Sequence, residues 1–208
     1  YELITLAPTV LENYTGRYLV NPDRVLTVTR ENGRLFAEAT QSSKVELLAI
    51  AENVFIRKDA AVQYHFLREP GGKVDTVKVD FEGGMSLAPR LEPEVMIPYE
   101  NVHTGKFEIA VEAYRKIKQE QPDNVAVQEG RINNLGYELL RAEKHAAAIA
   151  IFKLNVELYP QSANTYDSLG EGYMLNGDKD LAIENYKKSL ELDPHNSNAV
   201  AMLKKLQE

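Results

Sequence analysis

Leu135, Gly136, Ala148, Phe152 and Pro160 recur 34 residues later as Leu169, Gly170, Ala182, Tyr186 and Pro194. A self-match at this period is the signature of stacked helix-turn-helix units, each too small to bury its apolar face without a neighbour. The last full unit runs from Ala163 to Asn196, with Tyr166, Leu169, Gly170 and Tyr173 on its first helix and Ala182, Tyr186 and Ser189 on its second. The unit before it, from about Asp123 to Pro160, has Ile132 and Leu139 where the later one has Tyr166 and Tyr173. Upstream, Gly105 to Tyr114 followed by Pro122 reads as the second helix of a third unit, offset by 38 residues, about one extra helical turn. Ser197 to Gln207 forms a final amphipathic helix with Val200, Leu203 and Leu206 inward, capping the last unit.

The other half has a different period. From Tyr14 to about Ala88 apolar residues alternate in short runs separated by turn signals, which is strand chemistry. Arg24–Arg30 leads into Asn32-Gly33 and Arg34–Ala39 leads out; Asn-Gly supplies the positive φ angles of a two-residue hairpin. Further strands are expected at Gly16–Val20, Val45–Ile50, Val54–Arg57, Gln63–Arg68, Val74–Phe81 and Met85–Ala88, with a turn at Glu69-Pro70-Gly71-Gly72-Lys73. About eight short strands joined by tight turns close most readily into a small barrel, which removes exposed edges. Pro8 to Asn13 reads as one helical turn with Leu11 as a plug. Tyr14, Tyr18, Phe36, Phe55, Phe66 and Phe81 are the expected core fillers, and Gly16 permits a bend or bulge. Pro93 and Pro98 disfavour both helix and central strand. The expected architecture is therefore α+β in two parts: an antiparallel β-barrel in residues 1–90, a linker in 91–104, and an α-helical solenoid of repeats with a capping helix in 105–208.

The chain has 208 residues, 44% hydrophobic and 26% charged, enough to bury a real core. Its net charge of -7 is spread over both halves, leaving no basic stripe for phosphates, so no nucleic-acid partner is expected. No apolar run approaches the roughly 20 residues of a membrane span. There is no cysteine, hence no disulfide and no thiolate metal site. The chain begins at Tyr1 and reads as a piece of a longer protein.

His65, His103, His145 and His195 are dispersed without ligand spacing, so no metal is expected, and no phosphate-binding loop or other cofactor signature occurs. His65, between Tyr64 and Phe66, reads as a structural histidine. Asp75, Asp80 and Glu82 read as the wet face of a strand. No catalytic residue is assigned.

The Leu-Gly-Tyr, Ala, aromatic and Pro positions of the Ala163–Asn196 unit resemble the tetratricopeptide repeat, and the likeness extends from about Gly105 to the C-terminus. It implies a groove lined by the first helix of each unit, here Asn133, Asn134, Tyr137 and Arg141 from one and Asn164, Asp167, Ser168 and Glu171 from the next. Members that grip a C-terminal carboxylate use a Lys/Asn/Arg cluster; only Asn134 and Arg141 are comparable, and Asp167 and Glu171 oppose such a clamp. Two readings stay open: a groove for a protein or peptide partner, and a solvated or intramolecular docking surface.

Leu11-x-x-Tyr14-x-Gly16-x-Tyr18, followed by Leu26-x-Val28-x-x-Glu31-Asn32-Gly33-x-Leu35-x-Ala37, resembles the lipocalin-like β-domain that follows the catalytic domain of many β-lactamase and penicillin-binding-type serine hydrolases. The likeness covers about Leu6 to Leu87. It implies a non-catalytic C-terminal region of such a hydrolase, in a bacterial and extracytoplasmic setting, that organises the parent enzyme or recruits a partner. Two alternatives are a barrel that binds a small ligand and a tail that shapes the parent's active-site entrance. The Ser-x-x-Lys nucleophile motif of that family does not occur in this chain. Tyr99-Glu100-Asn101 and His103-Thr104-Gly105 imitate two of its other motifs but lie one residue apart, and are read as coincidence.

Overall fold

The computed structural model describes residues 1–69 and 72–207, which fall into two compact units, Tyr1–Ile97 and Pro98–Glu208. The first opens with helix α1 (Pro8–Glu12), then strands β1 (Gly16–Asn21), β2 (Arg24–Glu31), β3 (Arg34–Ala39), β4 (Val45–Ala51), β5 (Val54–Arg57), β6 (Val62–Arg68), β7 (Val74–Phe81) and β8 (Gly84–Leu91). Every strand pairs antiparallel with the next, and β1 pairs with β8, closing the barrel. The Asn32-Gly33 hairpin has φ of 50° and 75° at its two turn residues, as a primed turn requires. The turn expected at Glu69–Lys73 lies partly outside the described residues, since Pro70 and Gly71 are not among them.

Eight strands leave an interior that side chains can fill. Here Tyr14, Tyr18, Phe55 and Phe66 do so, each at most 1% exposed. Phe66 lies 4.7 Å from Tyr14, 5.4 Å from Phe55 and 6.0 Å from Tyr18, ring centre to ring centre. Their hydroxyls are satisfied: Tyr14 donates to the Glu52 carbonyl and Tyr18 to the Tyr14 carbonyl, both at 2.8 Å. Leu11 of α1 is buried against this cluster, as a plug should be.

Two expected core residues belong elsewhere. Phe36 is half-buried and Phe81 is 46% exposed. In β3 the inward positions go to Leu35 and Ala37, so strand parity turns Phe36 away. Gly16 makes no bulge either; the β1–β2 register shifts between Leu19 and Asn21. Gly16 instead has φ 145°, and a Cβ there would stand 2.2 Å from Arg90 Nη1. Its bare backbone lets the Arg90 guanidinium donate to the carbonyls of Val74, Thr15 and Asn13 and to the Tyr18 hydroxyl.

The second unit holds α2 (Pro98–His103), α3 (Phe107–Glu120), a 3₁₀ turn (Val125–Val127), α4 (Glu129–Arg141), α5 (His145–Leu158), α6 (Ala163–Asn176), α7 (Lys179–Leu192) and α8 (Ser197–Gln207). Residues 91–104, read as a linker, thus include the last residue of β8 and the whole of α2. Helices α4 and α5 form one full repeat and α6 and α7 the next, while α2 and α3 form a unit whose first helix is short. The Phe152 ring occupies the space where a Gly136 side chain would begin, and the Tyr186 ring does the same at Gly170. Close helix approach at this repeated position is what the 34-residue period encodes. In α8 the inward residues are Ala199, Met202, Leu203 and Leu206. Val200 is 52% exposed and points outward, because Ala199 takes the helix face that meets the repeat.

Candidate functional site

Asn133, Asn134, Tyr137 and Arg141 lie on α4, and Asn164, Asp167, Ser168 and Glu171 on α6, at spacings of three and four that keep each set on one helix face. At the seam between these helices the Tyr137 hydroxyl donates to Glu171 Oε2 at 2.9 Å, with Ser168 Oγ 3.3 Å away. Ser168 is fully buried and Tyr137 half-buried. Burial foremost, and then the Glu171 and Asp167 carboxylates, push the Tyr137 phenol up to about 12. Tyr186, whose ring passes Gly170, is raised for the same reasons, burial first, with Glu171, Asp167 and Tyr137 following. Its buried hydroxyl has no hydrogen-bond partner among the described residues.

The other expected groove residues divide. Asp167 accepts from Asn196 Nδ2 at 3.0 Å and Asn198 Nδ2 at 2.9 Å. Asn164 Nδ2 donates to Glu129 Oε1 at 3.1 Å, and Ser162 Oγ donates to the same oxygen at 2.8 Å. Asn133 is half-buried and its Oδ1 has no partner among the described residues. Asn134 and Arg141 are exposed. The structure therefore brings Tyr137, Ser168 and Glu171 into contact, and ties Asp167 and Asn164 to residues outside the expected set.

Those partners carry a regularity that the repeat period reveals. Ser162 and Asn164 grip Glu129; 34 residues on, Asn196 and Asn198 grip Asp167. The same two positions of successive units each hold a carboxylate of the preceding first helix. A second periodic tie lies behind the groove: Asn155 Nδ2 donates to the Glu129 carbonyl, and Ser189 Oγ, at the equivalent position, donates to the Ala163 carbonyl.

Glu138 was outside the expected set as well. Its Oε1 receives the Tyr99 hydroxyl at 2.5 Å and lies 3.1 Å from His103 Nε2, while His103 Nδ1 is 2.9 Å from the Tyr99 carbonyl. Both ring nitrogens thus lie within hydrogen-bond distance of an oxygen. The two motif fragments around Tyr99 and His103 hold α2 against α4.

Glu129, Asp167 and Glu171 are all held by neutral amides and hydroxyls; among the described residues none has a cation in ion-pair reach. The face offers fixed acceptors, suited to a partner's donors, and the exposed guanidinium of Arg141, which donates to acceptors. Among the described residues no cluster of His, Asp and Glu could hold a metal ion, and no helix is long and apolar enough to cross a membrane.

Residues 163–196 match the tetratricopeptide repeat family, and residues 2–97 match a domain of unknown function, DUF3471. No curated protein matches the chain. Solved structures similar to it include the first tetratricopeptide domain of Spaghetti (RPAP3) bound to an HSP90 peptide, with 24% identity, 53% of this chain and 84% of that chain covered, and a TM-score of 0.38. The second such domain of human RPAP3, in complex with an HSP70 peptide, has 21% identity, 53% and 89% coverage, and a TM-score of 0.39. MamA has 24% identity, 54% and 63% coverage, and a TM-score of 0.37. The chain is thus a closed eight-stranded barrel similar to the DUF3471 domain, followed by helical units of which the last full one is similar to the tetratricopeptide repeat.

Proposed function

We propose that this chain is a non-catalytic, protein-binding segment whose helical groove holds an extended peptide rich in lysine or arginine. The observation that carries this reading is the line of Glu129, Asp167 and Glu171 carboxylates, each oriented by neutral donors and none neutralised by a cation. A partner's ammonium or guanidinium supplies the missing charge, and charge-assisted hydrogen bonds to fixed carboxylates are the strong kind. Asn133, Asn134, Tyr137 and Asn164 add hydrogen-bonding capacity for a peptide backbone, the buried Ser168 lies behind Tyr137, and Arg141 holds an acidic flank. The RPAP3 domains have been solved with HSP90 and HSP70 peptides, and a tetratricopeptide-like array in this chain fits the same class of role with a partner of opposite charge.

The resemblance of Leu6 to Leu87 to the accessory domain of β-lactamase-type serine hydrolases supports a finer reading: a C-terminal region that organises such a parent enzyme, the peptide partner being a separate protein or a segment of the parent's catalytic domain.

Selection of a random displayed peptide library on the full chain tests the groove. Basic peptides are expected to be enriched, and Asp167→Asn or Glu171→Gln to weaken them about tenfold. Enrichment of acidic or charge-neutral peptides, or binding indifferent to both substitutions, overturns the reading.

A further inference from the structure

The two ends of the barrel differ. Where odd-numbered strands begin, α1 closes the lumen with Leu11, backed by Leu6 and Val10. At the opposite end, where odd-numbered strands finish, a cavity of about 280 Å³ remains. Its walls include Val20, Ala39, Val62, Val79 and Phe81, and the buried Leu26 and Tyr64 line it more deeply. Val20, Ala39, Val62 and Val79 are only half-buried although they continue the core, so this mouth is an apolar cup open to the outside. Water gains little from such a wall, and an apolar guest gains burial.

Arg24 and Arg57 also line the cup. Both bear on the Tyr64 phenol, which burial raises and the two guanidiniums, Arg57 first, lower. Arg57 already holds a carboxylate in two-pronged fashion: its Nε and Nη2 donate to the two oxygens of Asp59 at 2.9 and 2.7 Å. Arg24 has no ion-pair partner among the described residues. The cup therefore joins apolar walls to one guanidinium engaged by an internal carboxylate and a second one without any.

We propose that this mouth binds a small amphiphilic carboxylate, its apolar part between Val20, Ala39, Val62 and Val79 and its carboxylate on Arg24, with Arg57 joining when Asp59 yields. The aromatic cluster of Tyr14, Tyr18, Phe55 and Phe66 fills the lumen below and limits the depth. The volume lies just under the roughly 300–1,000 Å³ usual for small-molecule sites, which favours short ligands over long-chain lipids. Guanidinium groups read the planar carboxylate, and the cup reads the chain. This site is independent of the peptide groove.

Octanoate is the probe, with octan-1-ol and acetate as controls, titrated into the full chain by isothermal calorimetry and by the perturbation of amide resonances. Octanoate is expected to bind saturably and to shift amides of Val20, Ala39, Val62 and Val79, with both controls weaker by about tenfold or more. Arg24→Gln, at an exposed position, weakens octanoate about tenfold and leaves octanol unchanged, whereas Asp59→Asn strengthens octanoate by freeing Arg57. Ala39→Leu fills the cup and removes octanoate binding; a circular dichroism spectrum like that of the parent chain establishes that this variant is folded. Absence of saturable binding at millimolar octanoate, equal binding of octanol, indifference to Arg24→Gln, or shifts confined to the helical unit would each overturn the assignment.

Discussion

At the scale of single residues, the helical unit depends on positions where a side chain is missing. A Cβ on Gly136 would stand 2.3 Å from the Phe152 ring, whereas one on Gly170 would meet Tyr186 at 3.1 Å. The first distance requires the ring or the helix to move; the second asks for a few tenths of an ångström. Gly136→Ala is therefore expected to destabilise the helical unit by about 1–3 kcal/mol and Gly170→Ala by less, as overpacking does. Urea unfolding followed by far-UV circular dichroism checks the order, and equal costs would show that Phe152 is freer than its packing implies. In the barrel the informative residue is Tyr18, whose phenol burial pushes up to about 12 against the lowering influence of Arg90. The folded chain keeps this proton where an unfolded one releases it near 10, so the contribution is complete below pH 10 and lost as pH climbs towards 12. A shift of this size is worth roughly 2–3 kcal/mol. Barrel stability should fall across that window, and Tyr18→Phe should flatten the fall while lowering stability at neutral pH. An unchanged slope would contradict the burial of the phenol.

At the scale of elements, the repeats share a turn. Gly105, Glu143 and Gly177 occupy equivalent places between paired helices, and all three are left-handed, with φ of 82°, 58° and 88°. Glycine adopts this conformation freely, whereas a residue with a Cβ is strained there. Glu143→Gly should therefore stabilise the α4–α5 unit, by up to about 1 kcal/mol once the greater freedom of glycine in the unfolded chain is subtracted. A thermal scan that shows a lower midpoint would mean that the Glu143 side chain stabilises the turn by more than its backbone costs. The same comparison explains what the sequence makes legible. Strands and repeat helices announce themselves because alternation and a 34-residue period each force one face inward. Orientation is harder wherever both faces carry apolar residues: Phe36 lies beside Leu35 and Ala37, and Val200 beside Ala199 and Met202, so composition does not choose between them. In the groove, Tyr137, Ser168 and Glu171 follow from helical spacing. Glu129, Asn196 and Asn198 do not, because the last two reach Asp167 from the loop and first turn of the next helix. Only the pairing of Ser162 with Asn196 and Asn164 with Asn198 across the period would have singled them out.

At the scale of the whole molecule, two compact units each possess a core, one built on Phe66 and its aromatic neighbours and one on Phe152, Tyr114 and Tyr186. Hydrophobic burial acts locally, so each unit has the means to unfold in its own transition. Phe66→Ala tests this, because Phe66 is completely buried and touches three aromatic rings. Removing a buried phenylalanine costs about 3–5 kcal/mol, a large share of what a barrel of this size possesses. The expected result is a barrel transition at much lower denaturant, read from near-UV circular dichroism and barrel amide resonances, with the helical transition unmoved. Gly136→Ala should give the mirror image, weakening the helical transition and leaving the barrel intact. If either substitution shifts both transitions together, the units fold as one thermodynamic body, and binding in the groove or in the barrel mouth would then stabilise both halves. If the transitions separate, each site can be studied on a chain whose other half is disabled, and a loss of octanoate binding in Phe66→Ala with peptide binding retained would assign the two ligands to different units.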